Sequence, residues 1–559
     1  MDPQGTRPEQ QRPQRQTDLT PMARRVLIIG LDGATFDVLD PMIQRGRMPN
    51  LAAIIREGAS GVLNSTQPPI TPAAWTTFMT GKGPGRHGIV DFERYDVRTN
   101  RLTFNSTMEI REKTFWDILS EKGFRVGSIN LPMTYPPKRV NGFMISGFDA
   151  PSMEAEFTYP RDLKPEILRR FPDYTHEKKW QRRLLGGDRL FAENLDYINR
   201  SFEQGADLAE FCGQRFGWDV MMVLYKLVDN LQHKAWRYLD TNGPVRNKRR
   251  AALVSECFGK LDEAVGRLRE FGRRHDALVM IMSDHGHGSL DGKAQPNLLL
   301  HDWGYLKLRH TGARARTRAA HVWHRLLRNH NGQVRAGNSP LEEELAIDWS
   351  RTQACVMHAG MCGFLYLNLQ GRQPSGIVPR DDYERLRDEI RERLLSVSSR
   401  DRRGRLRQVF EEVHKTEQFY GCRREDQEWL PDLLLVPTPG LAVVRKIRGF
   451  RPVRWLSPRR REGTHRIEGV LAVAGPGVRA GDRITASIVD VTPTLLAVLG
   501  LRVPVDMEGK AMADIFEPRL SIEFEPPQAY EFVEPTEEAY TEEEKQALTE
   551  RLADLGYLE

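Results

Sequence analysis

Short apolar runs that stop on a metal-ligand residue type constrain this chain more than any other feature. RVLIIGLDG at 25–33 ends on Asp32-Gly33, and ALVMIMSDHGHG at 277–288 ends on Asp284-His285. Both runs are too short and too uniformly apolar for a surface helix, and they read as strands buried on both faces. VGSINL, DVMMVLYKLV, CGFLYLNL, DLLLVP and GVLAVAGPG are further runs of this kind. Helical stretches lie between them, including MPNLAAIIREGA, RDDYERLRDEIRERLLSV and PTLLAVLGL. Alternating strands and helices predict an α/β fold with a mostly parallel central sheet flanked by helices. In such a sheet, ligands bind beyond the carboxyl ends of the strands. Asp32, Asp284 and His285 are therefore expected along one edge. VLYKLVDNLQHKAW adds Asp229 and His233, four residues apart, and REGTHRIEG adds His465 just before a strand.

Each signal has an ordinary reading. Asp-Gly is a common turn pair, Asp229 and His233 have the spacing of a surface i,i+4 pair, and a lone loop histidine is usually solvated. An acid and an imidazole adjacent in a Gly-rich turn after six apolar residues are harder to explain by packing. Together the three Asp and three His supply six N/O ligands, which suit two borderline divalent ions, Zn²⁺ first and Mn²⁺ second. Paired ions with an open face serve in-line displacement at phosphorus. ITPAAWTTFMTG at 70–81 offers a nucleophile. Thr71 followed by Pro72 reads as N-cap and N1 of a helix that stops at Gly81, and a helix N-terminus is an anion site.

The fragments GLDGATFD, PPITPAAWTTFMTGKGPGRHGI, DNLQHKAW, SDHGHG, GTHRIEGVLAVAGPGV and DVTPTLLAVLGL together resemble the alkaline phosphatase superfamily. The likeness is to its type I phosphodiesterase/nucleotide pyrophosphatase branch and to related bacterial phosphohydrolase and phosphomutase proteins, over most of residues 25–515. The resemblance implies an alkaline-phosphatase-like core with inserted cap or lid segments. It implies that Asp32, Asp284, His285 and Thr71 hold one metal, with Thr71 as the catalytic nucleophile, and that Asp229, His233 and His465 hold the second. It further implies a phosphoryl-threonine intermediate. The expected activity is a phosphodiesterase acting on a small anionic phosphate ester; phosphomutase, phosphotransferase or phosphomonoesterase action on the same site is the alternative, and a silent anion-binding protein a weaker one. A sulfatase is disfavoured, because Thr71-Pro72-Ala73 lacks the Cys or Ser that those enzymes convert to formylglycine. Where nucleotide pyrophosphatases of the branch carry an Asn three residues after the nucleophile, this chain has Ala74. His287, beyond Gly286, is expected to be solvated or to stand behind the ligands.

The rest of the chain sets the frame. It has 559 residues, a net charge of +6 and five cysteines without a CxxC pair. This favours a reducing, cytoplasmic setting and gives no general drive toward nucleic acid. No apolar run of spanning length occurs. Residues 1–22 are Pro/Gln-rich and expected to be disordered. Residues 23–515 are expected to form the catalytic domain, with insertions at about 92–220 and 295–440. Residues 516–559 read as an acidic extension ending in a short helix, capped by Thr541 and Glu544. Basic clusters at Arg309, Arg314, Arg316 and Arg318 and at Arg445, Lys446, Arg448, Arg451 and Arg454 suit an anionic substrate or an anionic lipid surface. No motif singles out substrate-binding residues.

Overall fold

The computed structural model describes residues 19–176, 180, 187–239, 247–309, 347–424, 428–457, 462–535 and 538–555. Most of the segment expected to be disordered, together with Arg314, Arg316 and Arg318, lies outside them.

Two compact units result. The first comprises the described residues up to Ile89, Ser106–His287 and His465–Arg551; the second comprises Val90–Asn105, Gly288–Thr464 and the described residues from Leu552. The first unit is built on strands β1 (Val26–Leu31), β2 (Ala59–Asn64), β3 (Val126–Leu131), β4 (Gly142–Ser146), β5 (Thr158–Tyr159), β6 (Val220–Tyr225) and β7 (Leu278–Met282). After β8 (Gly286–Leu290) and β9 (Glu462–Arg466), which pair with each other, it is completed by β10 (Glu468–Ala474) and β11 (Arg483–Ser487). The sheet order is β11-β2-β10-β7-β1-β6-β3-β4-β5. From β7 to β4 every pairing is parallel, and β10 runs against both β7 and β2. Every residue of β1, β6 and β7 is buried, as uninterrupted apolar strands inside a layered α/β fold must be.

The register aligns the working ends of the central strands. Gly30 lies opposite Leu224 on one side and Met282 on the other. The chain therefore leaves β1 at Asp32, β6 at Lys226 and β7 at Ser283-Asp284 along one edge. Ser283 fastens this edge, because its hydroxyl donates to Ala34 O at 3.1 Å and accepts from Val470 N at 2.8 Å. Helices cover both faces. Alternation along β1 sends Leu27 and Gly30 to opposite sides. Leu27 meets Gly272 of α4 (Lys248–Arg274), which packs on α2 (Gly187–Phe216), whereas Gly30 meets Trp75 of α1 (Thr71–Thr80). The site helix α3 (Leu227–Ala235) follows β6. The apolar helix α5 (Val491–Val498) packs on α1.

The expected insertion at 92–220 is corrected in part: β3, β4 and β5 are strands of the central sheet, and α2 covers it. CGFLYLNL and DLLLVP, buried-strand candidates inside the stretch expected as an insertion at about 295–440, belong to the second unit. There Ala354–Ala359, Gly363–Leu367, Leu433–Pro437 and Phe410–Lys415 form a four-stranded antiparallel sheet. An apolar run identifies a buried strand without identifying its sheet. The final helix α6 (Glu542–Leu555) has the expected box, with Thr541 N on Glu544 Oε2 at 2.8 Å and Glu544 N on Thr541 Oγ1 at 3.3 Å. No described helix is long and apolar enough to cross a membrane.

Candidate metal centre

Asp32, Asp284 and His285 form one buried group, and Asp229, His233, His287 and His465 form a second in which His233 is half-buried and the rest buried. Within each group the candidate ligand atoms lie within 4.8 Å of one another. The His285 and His465 rings stack at 3.6 Å, so the two groups adjoin.

The first group sits where β1 and β7 end. Asp32 and Asp284 are fully buried. Gly33 adopts φ +66°, a left-handed turn conformation that favours glycine, and its N–H donates to Asp284 Oδ1 at 3.0 Å. The Asp-Gly turn is thus both a turn and a carboxylate holder. The indole N–H of Trp75 donates to Asp32 Oδ2 at 3.3 Å. Asp32 Oδ1 and Asp284 Oδ2 have no hydrogen-bond partner. His285 Nε2 lies 3.3 Å from Asp284 Oδ2 and 3.9 Å from Asp32 Oδ1. Its Nδ1 is 3.1 Å from Gly286 O. A carbonyl only accepts, so the ring proton belongs on Nδ1 and Nε2 presents a lone pair to the group.

Thr71 faces this group, its Oγ1 3.2 Å from His285 Nε2. The helix cap differs by one residue from expectation. Ile70 is the N-cap, in extended conformation, and Thr71 is the first helical residue. Its hydroxyl is therefore turned to the imidazole instead of closing the helix. Thr76 and Thr80 donate back to Pro72 O and Thr76 O at 2.7 and 2.8 Å, and Thr77 pairs with His87 Nε2 at 2.9 Å. The helix stops at Gly81, φ +65°, as the sequence predicts. Ala74 is buried inside the first turns, its N–H on Ile70 O at 3.0 Å.

In the second group, Asp229 and His233 stand one turn apart on α3 and face inward instead of forming a surface pair. Asp229 Oδ1 is 3.2 Å from His233 Nε2 and 3.4 Å from His465 Nε2. His465 Nδ1 is 2.9 Å from Pro69 O, which again leaves Nε2 with its lone pair facing the group. His287 is buried, at 1% exposure, not solvated. Two neighbours of the site escape the sequence reading: Trp75, and Gln232, whose amide donates to Gly33 O at 2.6 Å. Gly30 was a readable signal for Trp75. A glycine inside a buried strand marks a close approach, and a Cβ at Gly30 would come within 3.0 Å of Trp75 Cη2.

The electrostatics suit cations. Burial first, then the charges of Asp284 and Asp229, hold the Asp32 carboxyl well above the usual range. Burial also raises Asp284, against the Gly33 N–H. Burial pushes Asp229 upward, but the imidazoles of His233 and His465 outweigh it and hold that carboxyl well below the usual range. Burial, then neighbouring His465, lowers His285; burial also lowers His465, against Asp229. Asp32 and Asp284, each with one unpartnered oxygen, together with the buried Asp229 carboxylate and the imidazoles beside it, form a donor set that divalent ions would satisfy.

The second basic cluster lies wholly in the second unit. Arg445 stands 3.7 Å from Glu93 and donates to Met357 O at 3.1 Å. Lys446, Arg448 and Arg454 line a cavity of about 220 Å³ with Lys293, Gln295 and Val444.

Comparison with known proteins adds three findings. The family model described as type I phosphodiesterase/nucleotide pyrophosphatase matches residues 26–467. No curated protein matches. Among solved structures, phosphonoacetate hydrolase from Sinorhizobium meliloti 1021, in complex with phosphonoformate, is 15% identical at a TM-score of 0.49, over 86% of this chain and 98% of that one. Murine ectonucleotide pyrophosphatase/phosphodiesterase 5 is 12% identical at 0.48, over 89% and 100%.

Proposed function

The chain belongs to the type I phosphodiesterase/nucleotide pyrophosphatase family, and from this premise we propose that it cleaves a small anionic phosphodiester through a phosphoryl-threonine intermediate on Thr71. The observation that carries the reading is the Thr71 hydroxyl. It is the one threonine of 70–81 turned to the Asp32–Asp284–His285 group, at 3.2 Å from His285 Nε2.

Asp32, Asp284, His285 and Thr71 would hold one divalent ion, and Asp229, His233 and His465 a second, with Zn²⁺ or Mn²⁺ as the candidates. Such ions, when bound, make a hydroxyl nucleophilic near neutral pH and offset charge on phosphoryl oxygens.

The side chains supply positioning. Pro72 and the first turn of α1 fix where Thr71 Oγ1 points, and Thr71 is buried. The hydroxyl donates to His285 Nε2, because the His285 ring proton is committed to Gly286 O. Trp75 and the Gly33 N–H fix the two carboxylates through one oxygen each, leaving the other oxygen of each directed into the group. In-line attack by Thr71 Oγ1 expels the ester alcohol, and water then releases the phosphoryl group from Thr71. Ala74 has no polar side chain for a phosphate oxygen, which argues against a nucleotide-type contact at that position.

The test is turnover of an aryl phosphodiester, an aryl phosphomonoester and an aryl phosphonate ester, each with Zn²⁺ and with Mn²⁺, by wild type and Thr71→Val. Thr71→Val keeps the β-branched shape. Diester turnover should fall roughly 10³-fold or more, the scale on which loss of a nucleophile acts. Unchanged turnover in the variant refutes the assignment of Thr71, and a preference for the monoester refutes the substrate class.

A further inference from the structure

His287 is used by neither the family assignment nor the mechanism above, yet it is built as a ligand. It is the second residue of β8. Its Nδ1 lies 3.1 Å from Gly33 O. That carbonyl can only accept, so the ring proton sits on Nδ1 and the lone pair on Nε2. Nε2 has no hydrogen-bond partner, although the residue is buried. It stands 3.6 Å from Asp229 Oδ1, within the group that includes His233 and His465. A lone pair aimed at a carboxylate oxygen is unfavourable unless a cation lies between them.

His285 and His465 follow the same plan: Nδ1 anchored on a backbone carbonyl, Nε2 presented to the group. This is the usual arrangement behind a metal-ligating histidine. The spacings agree. Metal bonds of about 2.0–2.1 Å at near-tetrahedral angles place neighbouring donor atoms about 3.3–3.4 Å apart. The spacings in this group are 2.9 Å for His233 Nε2 to His465 Nε2, and 3.2, 3.4 and 3.6 Å from Asp229 Oδ1 to His233, His465 and His287. Gly33 makes the room, since a Cβ there would come within 2.8 Å of His287 Nδ1.

We propose that His287 is a fourth protein ligand of the second ion, giving it an Asp-His₃ set. The inference rests on the two-ion reading above and deepens it. Four protein ligands close a tetrahedral site. An ion that also admits a water or a substrate oxygen must then be five- or six-coordinate. The set thus favours Mn²⁺ or Co²⁺ at this position, or Zn²⁺ only in an expanded geometry.

The test is chelator competition with Co²⁺ on the full chain, comparing wild type, His287→Gln and His287→Ala, with the visible absorption of bound Co²⁺ recorded alongside. Wild type is expected to take up two ions. The variants should keep the first at unchanged affinity and bind the second about a hundredfold or more weakly, with an altered spectrum; even partners behind a ligand are worth 10–100-fold. X-ray absorption of the wild type needs no variant and so stands even if a substitution unfolds the chain. It should give an average of about two imidazoles per ion, from four histidines over two sites, instead of about one and a half. Two ions held at wild-type affinity with an unaltered spectrum in both variants overturn the role of His287 and leave the two-ion reading standing, as does the lower imidazole count. A wild-type chain that takes up no ion overturns both.

Discussion

Replacing Trp75 by Phe tests how the first group is held. The indole N–H is the one hydrogen-bond donor to the Asp32 carboxylate among the described residues, at 3.3 Å. Asp32 is fully buried, and its charged form is already disfavoured by burial and by Asp284 and Asp229. A hydrogen bond to a charged group contributes about 1.5–3 kcal/mol. At this long distance the lower end applies, and about 1.4 kcal/mol corresponds to tenfold in binding. Trp75→Phe should therefore weaken metal binding at the Asp32–Asp284–His285 group roughly tenfold. The second group, which Trp75 does not touch through this bond, should be unaffected. The ring itself is packed: Trp75 meets Phe78 edge-on at 5.8 Å, and Phe78 meets Phe115 at 5.2 Å. Shrinking the side chain should cost about 1–3 kcal/mol of stability. Gly30 provides an internal check. Its Cβ would lie 2.6 Å from Met222 Cε, 2.7 Å from Leu224 Cδ1 and 3.0 Å from Trp75 Cη2. Gly30→Ala should thus be less destabilising when combined with Trp75→Phe than alone, a coupling that a double-mutant cycle measures. Chelator competition reads both affinities. Equal loss at both groups, or none at either, would refute the reasoning.

Two other perturbations follow from the same geometry. Gly33→Ala places a side chain at φ +66°, 2.8 Å from His287 Nδ1 and 3.1 Å from Asp229 Oδ1; it should cost at least about 1–2 kcal/mol in backbone strain and weaken binding at the second group, measured by urea unfolding and by metal titration. Burial holds the Asp149 carboxyl up at about 7, against hydrogen bonds that include Tyr135 N and Met133 N. Its folded pKa thus exceeds its unfolded value of about 3.9. The folded state then binds more protons in between, and this contribution to stability falls as pH rises from about 4 to about 7. Urea unfolding across that range should show a shallower decline in Asp149→Asn, and an unchanged slope would contradict it.

Much of this arrangement was readable from the chain. Strands that end in Asp32 and Asp284 declare themselves, because an apolar run long enough to be buried and too short for a helix has few other uses. Parallel pairing then brings their ends to one edge. Thr71 was readable from Pro72 and Gly81, which bracket the helix. Three things were not readable. Whether 126–146 belongs to the core or to an insertion depends on long-range pairing, which an apolar pattern does not encode. The cap lies at Ile70 and not at Thr71, whose hydroxyl meets His285 from 214 residues away in the chain. The choice for His287 between a solvated position and one behind the ligands is not legible, because its environment is set by Gly33, 254 residues earlier in the chain.

The most direct test of the central claim, a covalent intermediate on Thr71, is the stereochemical course at phosphorus. A chiral phosphorothioate diester is hydrolysed in isotopically labelled water, and the configuration of the product is read by phosphorus NMR. Two successive in-line displacements, first by Thr71 and then by water, predict net retention, whether or not the intermediate accumulates. Net inversion would mean that water attacks the ester directly, and would contradict the account.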